Sequence, residues 1–114
     1  MLPAALERSE VDGVTVLRLS GSLTEPGVQR IEQAFCAAAR AASRVVVDLS
    51  GVDVINTPGI GMILGAAREL KLAGGKLAVS GATLMVEQSL RLCRLDMVLP
   101  IVERVEAGIA AVGQ

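Results

Sequence analysis

Residues 45 to 70, VVVDLSGVDVINTPGIGMILGAAREL, run an apolar strand through a loop into a helix, and Asn56-Thr57-Pro58-Gly59 stands at the join. Two uses of a threonine hydroxyl fit that place. Thr57 can cap the helix, with Pro58 at the first helical position, where a missing N–H costs nothing. It can also accept a phosphoryl group, which would lie against free N–H groups and the positive end of the helix dipole. Such a modification adds about −1.5 to −2 charges to an exposed surface without melting the fold. The mouth of an α/β unit is, besides, where open sheets of this type place their function.

Other chemistries fare worse. The chain has no histidine, which removes the commonest general base, the usual metal ligand and any phosphohistidine relay. Gly59, Gly61 and Gly65 fall one residue off the dinucleotide fingerprint, and no GK[ST] accompanies them. Gly61 and Gly65, four apart on one helical face, instead read as positions for close packing. Glu7, Glu10, Glu32 and Glu69 fall on expected solvated faces, and Asp48 ends a strand beside the join without a partner in sequence. A serine or threonine nucleophile has no base, so neither catalysis, metal nor cofactor is expected. Cys36 and Cys93 lie outside any CxxC spacing, in helical apolar stretches, and read as buried free thiols. With net charge −1, scattered Lys and Arg, and Phe35 as the only aromatic residue, no nucleic-acid surface is present. No apolar run reaches membrane-spanning length and MLPAAL lacks a charged leader, which predicts a cytoplasmic protein with no direct membrane insertion.

The elements that must position Thr57 follow from pattern. Ala5 to Val11 predicts a strand, closed by the hairpin signal Asp12-Gly13, and Val14 to Ser20 a second, central strand, apolar on both faces. GSLTEPG reads as a loop in which Thr24 caps a helix and Pro26 sits in its first turn; Val28, Ile31, Phe35 and Ala38 share that helix's face, up to about Ala42. Arg44 to Leu49 is the third strand. A helix from about Pro58 to Ala73 buries Ile60, Ile63, Leu64, Ala67 and Leu70, and Gly74-Gly75 ends it. Lys76 to Ser80 is a strand, Thr83 caps a helix through Leu92, Met97 to Ile101 is a last strand, and Glu103 to Val112 a last helix. A hairpin whose second strand opens the run βαβαβαβα demands a mostly parallel mixed sheet of about five strands with about four helices, in one α/β domain spanning 1–114.

With these landmarks in order, the chain resembles the STAS-domain family, in particular the small bacterial anti-sigma factor antagonists. LSGSLT (19–24) is similar to the family's G-x-[IL]-D loop, VVVDLSGV (45–52) to its central strand, INTPGIGMIL (55–64) to its D-S-[ST]-G-L-G phosphoacceptor motif, and AGGKL (73–77) to the turn after the second helix. The resemblance implies a non-enzymatic partner switch. The unphosphorylated antagonist binds an anti-sigma factor that is also a serine/threonine kinase, phosphorylation breaks the complex, and a PP2C-type phosphatase resets it. By position the phosphoacceptor is Thr57, and the docking residues are Leu23, Thr24 and Glu25 with Asn56, Thr57, Pro58, Gly59 and Met62. Asn56 replaces the motif's Asp, Pro58 its second Ser/Thr and Thr24 the loop Asp, while Arg94 stands about where a glycine is usual. Two further possibilities stay open: a STAS subunit supporting a membrane transporter or signalling complex without a phosphoswitch, and a nucleotide-binding domain.

Overall fold

The structure, a computed structural model, describes residues 3–113. β1 (Ala5–Val11) and β2 (Val14–Leu23) form an antiparallel hairpin, turned by Asp12 and Gly13 at φ 52° and 79°. Asp-Gly suits such a turn because both residues must adopt positive φ. β3 (Arg44–Ile55), β4 (Lys76–Ser80) and β5 (Ile101–Val102) then add in parallel, giving the order β1-β2-β3-β4-β5.

That order never reverses, and right-handed crossovers that always step in one direction put their helices on one face. α1 (Glu25–Arg40), α2 (Thr57–Leu72) and α3 (Leu84–Leu92) accordingly share the main core with Leu17, Leu19, Val45, Val47, Leu49, Leu77 and Val79, around a fully buried Phe35. α4 (Val105–Val112) follows the last strand and covers the opposite face, over Val14, Val16, Val46 and Ala78. Without a reversal the sheet lacks the switch-point crevice that nucleotide-binding α/β folds use.

Several boundaries differ from the sequence pattern. β2 extends past Ser20 to Leu23 and β3 past Leu49 to Ile55, because the two extensions pair with each other (Ser22↔Val54, Leu23↔Ile55) beyond irregularities near Ser20 and Gly21. Gly21 has φ +83°, and a Cβ there would stand 2.1 Å from the Pro3 carbonyl, so only glycine fits. Met97 to Ile101 is not a strand. Leu95–Met97 makes a single 3-10 turn, Leu95 and Leu99 are buried, and β5 is confined to Ile101–Val102. Pro100 contributes a carbonyl to Val79 N–H at 2.9 Å but has no N–H of its own to offer a ladder. Arg94, before that turn, is left-handed at φ 61°, a conformation glycine adopts more cheaply.

Packing corrects three further expectations. Gly61 and Gly65 are exposed and a Cβ on either would meet nothing within 4 Å, so they seat no neighbour within the domain. Cys93 is exposed at the end of α3 and Cys36 half-buried, because each lies off the apolar stripe of its helix. Leu64 is also only half-buried, whereas Ile60, Ile63, Ala67 and Leu70 are in the core.

Candidate docking site

α1 and α2 start alike. Thr24-Glu25-Pro26-Gly27 and Asn56-Thr57-Pro58-Gly59 each place an extended residue at the N-cap, a first helical residue, proline at the second position and glycine at the third. Thr57 is therefore the first residue of α2, not its cap. Asn56 takes the cap, its carbonyl accepting from Ile60 N–H at 3.1 Å, and its side chain makes no capping bond. The local repeat of Pro-Gly one residue after the helix start was a sequence signal that pattern analysis missed.

The two starts are bound together. Asn56 N–H donates to the Leu23 carbonyl at 3.1 Å, continuing the β2–β3 ladder to its last possible rung. Both glycines are buried where a side chain has no room. A Cβ on Gly27 would lie 2.1 Å from the Ser22 carbonyl, and one on Gly59 2.8 Å from the Leu23 carbonyl. Each first turn thus sits against the end of β2, which fixes Thr57 relative to Glu25.

Of the docking residues expected from sequence, Glu25, Asn56, Thr57 and Pro58 are exposed and share this surface. Thr24 is nearly buried and Gly59 buried, so their role there is backbone placement. Leu23 and Met62 belong elsewhere: Leu23 is fully buried and Met62 only 5% exposed, both within the main core. The extension of β2 turns the Leu23 side chain inward, and Met62 lies on the core stripe of α2. They support the surface from beneath.

Beside Thr57 opens a groove of about 420 Å³ between the start of α2 and the end of α3, where Ser89, Leu92 and Cys93 face Ile55 to Pro58 and Ile60. Leu92 is 83% exposed. These α3 residues were not foreseen, although an apolar residue at the very end of a helix, beyond its buried stripe, is the signal that marks Leu92. No acidic residue stands in the first turn of α2, and with Pro58 at its second position the turn keeps only the N–H groups of Thr57 and Gly59.

Asp48, unpartnered in sequence, is a structural carboxylate. Its side chain is 4% exposed, and its oxygens accept from Arg18 Nε and from Ser50 N–H, each at 2.9 Å. Burial by itself would raise its pKa, but the Ser50 amide and the Arg18 guanidinium outweigh it and hold the carboxyl below its usual range. A carboxylate whose folded pKa is depressed contributes stability above its unfolded pKa and loses it as pH falls through the folded value. Asp48→Asn would set an amide NH₂ against Arg18 or Ser50 N–H and is expected to cost about 1–3 kcal/mol at pH 7. Urea titrations at pH 7 and below pH ~4 should show that gap narrowing with acid; equal stability at pH 7 would remove the role.

Among the described residues no group of three His, Cys, Asp or Glu side chains could hold a metal, and no helix is long and apolar enough to cross a membrane. The class of protein defined by these features is a small mixed-sheet α/β domain that presents a hydroxyl at an exposed helix start. The chain belongs to the STAS domain family, which it matches over residues 5–108. It is 24% identical over 107 residues to BtrV of Bordetella bronchiseptica, named as a candidate anti-sigma factor antagonist, covering 93% of this chain and 92% of that one. Its fold is that of an anti-sigma factor antagonist from Mycobacterium paratuberculosis (TM-score 0.89, 22% identity, 97% of this chain and 95% of that one). The Bacillus cell fate determinant SpoIIAA in its phosphorylated form is also similar (TM-score 0.69, 21% identity, 90% of this chain and 96% of that one).

Proposed function

We propose that this chain is a non-enzymatic anti-sigma factor antagonist that works by partner switching and is controlled by phosphorylation at Thr57. The observation that carries it is the placement of Thr57: exposed on the first turn of α2, tied through Asn56 to the end of β2, and flanked by the α3 groove. In this scheme an anti-sigma factor with serine/threonine kinase activity docks on Glu25, Asn56, Thr57 and Pro58 and so releases its sigma factor. A phosphate on Thr57 then places a dianion in the contact, where repulsion and imperfect desolvation weaken it. A PP2C-type phosphatase returns the antagonist to its binding form.

Ser20, Ser22 and Thr83, the hydroxyls nearest in kind, are held by the fold. Ser22 is buried and donates to Asp53 at 2.9 Å, Ser20 is half-buried in β2, and Thr83 accepts the capping bond from Val86 N–H at 3.4 Å. Incubation with the cognate kinase and ATP, followed by mass-spectrometric mapping, should therefore find phosphate on Thr57 alone. Stoichiometric phosphate on Ser20, Ser22 or Thr83 with Thr57 unmodified would overturn the assignment.

A further inference from the structure

The far end of α2 carries a second concavity, which shares no residue with the Thr57 groove. Thr57 and Lys71 are fourteen residues apart on one helix, a rise of about 21 Å. The concavity, about 270 Å³ in volume, lies where the last turns of α2, the start of β4, the segment before β5 and the end of α4 meet. Its floor includes the buried Leu77, Leu99 and Val112, and Val98, 44% exposed, forms a lip. Its charged residues are Arg68, Lys71 and Lys76, with no acidic residue in the lining. Among the described residues neither Arg68 nor Lys71 has an ion-pair partner.

The sheet edge adds a backbone contribution. β5 pairs with β4 only at Val79 and Ser80. Peptide groups two residues apart on a strand point to the same side, so Leu77 offers its N–H to the edge on which Val79 N–H reaches Pro100. Two cations in the last turns of a helix are ordinarily explained by the negative end of its dipole. That explanation accounts for Lys71 and Arg68, but it leaves the recessed apolar floor beside them without a purpose.

We propose that this groove binds a single-chain amphiphile with a carboxylate head. The apolar chain lies over Leu77 and Leu99, and the carboxylate meets the guanidinium fork of Arg68 and the ammonium of Lys71 at the rim. The concave shape suits one chain entering the protein, since the floor residues are buried and cannot protrude into a lipid surface.

The test is an amide-resolved NMR titration of the full ¹⁵N-labelled chain with decanoate below its micellar concentration, alongside acetate and decanol. The expected result is saturable shifts confined to the ends of α2 and α4, the start of β4 and residues 98–100. Acetate and decanol should each bind at least roughly tenfold more weakly, because each lacks one half of the recognition. Arg68→Glu combined with Lys71→Glu should weaken decanoate binding by roughly tenfold or more, with the spectrum still that of a folded protein, since both side chains are exposed. The proposal is overturned by any of four results: no saturable shifts, shifts centred away from the groove, equal binding of decanol, or unchanged affinity in the charge-reversed variant. Binding to phosphatidylglycerol vesicles without binding of monomeric decanoate would likewise overturn it, in favour of a membrane surface. None of these outcomes depends on whether Thr57 is phosphorylated.

Discussion

Replacing Asn56 by Asp together with Pro58 by Ser is expected to raise the initial rate of phosphate incorporation at Thr57 by about tenfold or more, a barrier change of ~1.4 kcal/mol. Asn56 occupies the N-cap of α2 with its side chain exposed and making no capping bond. An aspartate there would keep the shape and add a carboxylate able to cap the turn or to engage kinase groups. Pro58 acts on the backbone. It withholds one N–H from the first turn, and its ring disfavours helical geometry in the residue before it, although Thr57 is held helical here by the turn packed on β2. A phosphate on Thr57 consequently finds two first-turn N–H groups where serine at 58 would supply a third, and the proline ring stiffens the acceptor segment, which slows its presentation to a kinase. Binding to the anti-sigma factor should be retained in the wild type, leaving the antagonist biased toward its active form. Initial rates with the cognate kinase, with affinity measured in parallel, decide the matter. A wild type phosphorylated as fast as the double variant would show that both departures are neutral.

How the sequence announced this site, and where it fell short, has a physical pattern. Elements held by local signals were legible: the Asp12-Gly13 hairpin, the Thr83 cap, the Gly74 terminator at φ +84° and the apolar stripe of α1 through Phe35. Elements defined by a partner strand were not. SGSL looks like loop by composition and Ser50-Gly51 interrupts the apolar run of β3, and only the pairing of the two extensions carries both strands on to Leu23 and Ile55. That pairing turns Leu23 inward and brings Asn56 to the end of β2. The exposed place of Thr57 at the start of α2 was legible because the strand-to-helix join is marked in sequence, whereas Ser89, Leu92 and Cys93 reach it only through the packing of α3. Asp48 needed the same long-range knowledge, since its cation, Arg18, is thirty residues earlier and in register on the adjacent strand.

Thr57→Glu is expected to weaken binding to the anti-sigma factor by at least ~1.4 kcal/mol, about tenfold, while leaving the domain folded. The two halves of this expectation rest on different features. Folding should survive because Thr57 is exposed, accepts no structural hydrogen bond among the described residues and begins a helix, where an acidic side chain is favoured by the dipole and by unpaired N–H groups. Binding should suffer because the surface around Thr57 combines Glu25 with the apolar Leu92 and Pro58, and a second carboxylate must be desolvated against them without a cation of this chain in the groove lining. Thr57→Ala removes the hydroxyl without adding charge and should bind within a few-fold of wild type, which separates charge from the mere loss of threonine. Calorimetric affinities for the three proteins, with circular dichroism and thermal melts on the same samples, give both readouts. Equal affinity for Thr57→Glu and wild type would refute a charge switch at this position. A weakened Thr57→Glu with a lowered melting temperature would assign the effect to unfolding of the α2 start. Only weakened binding on an unchanged melt places the switch in the charge itself.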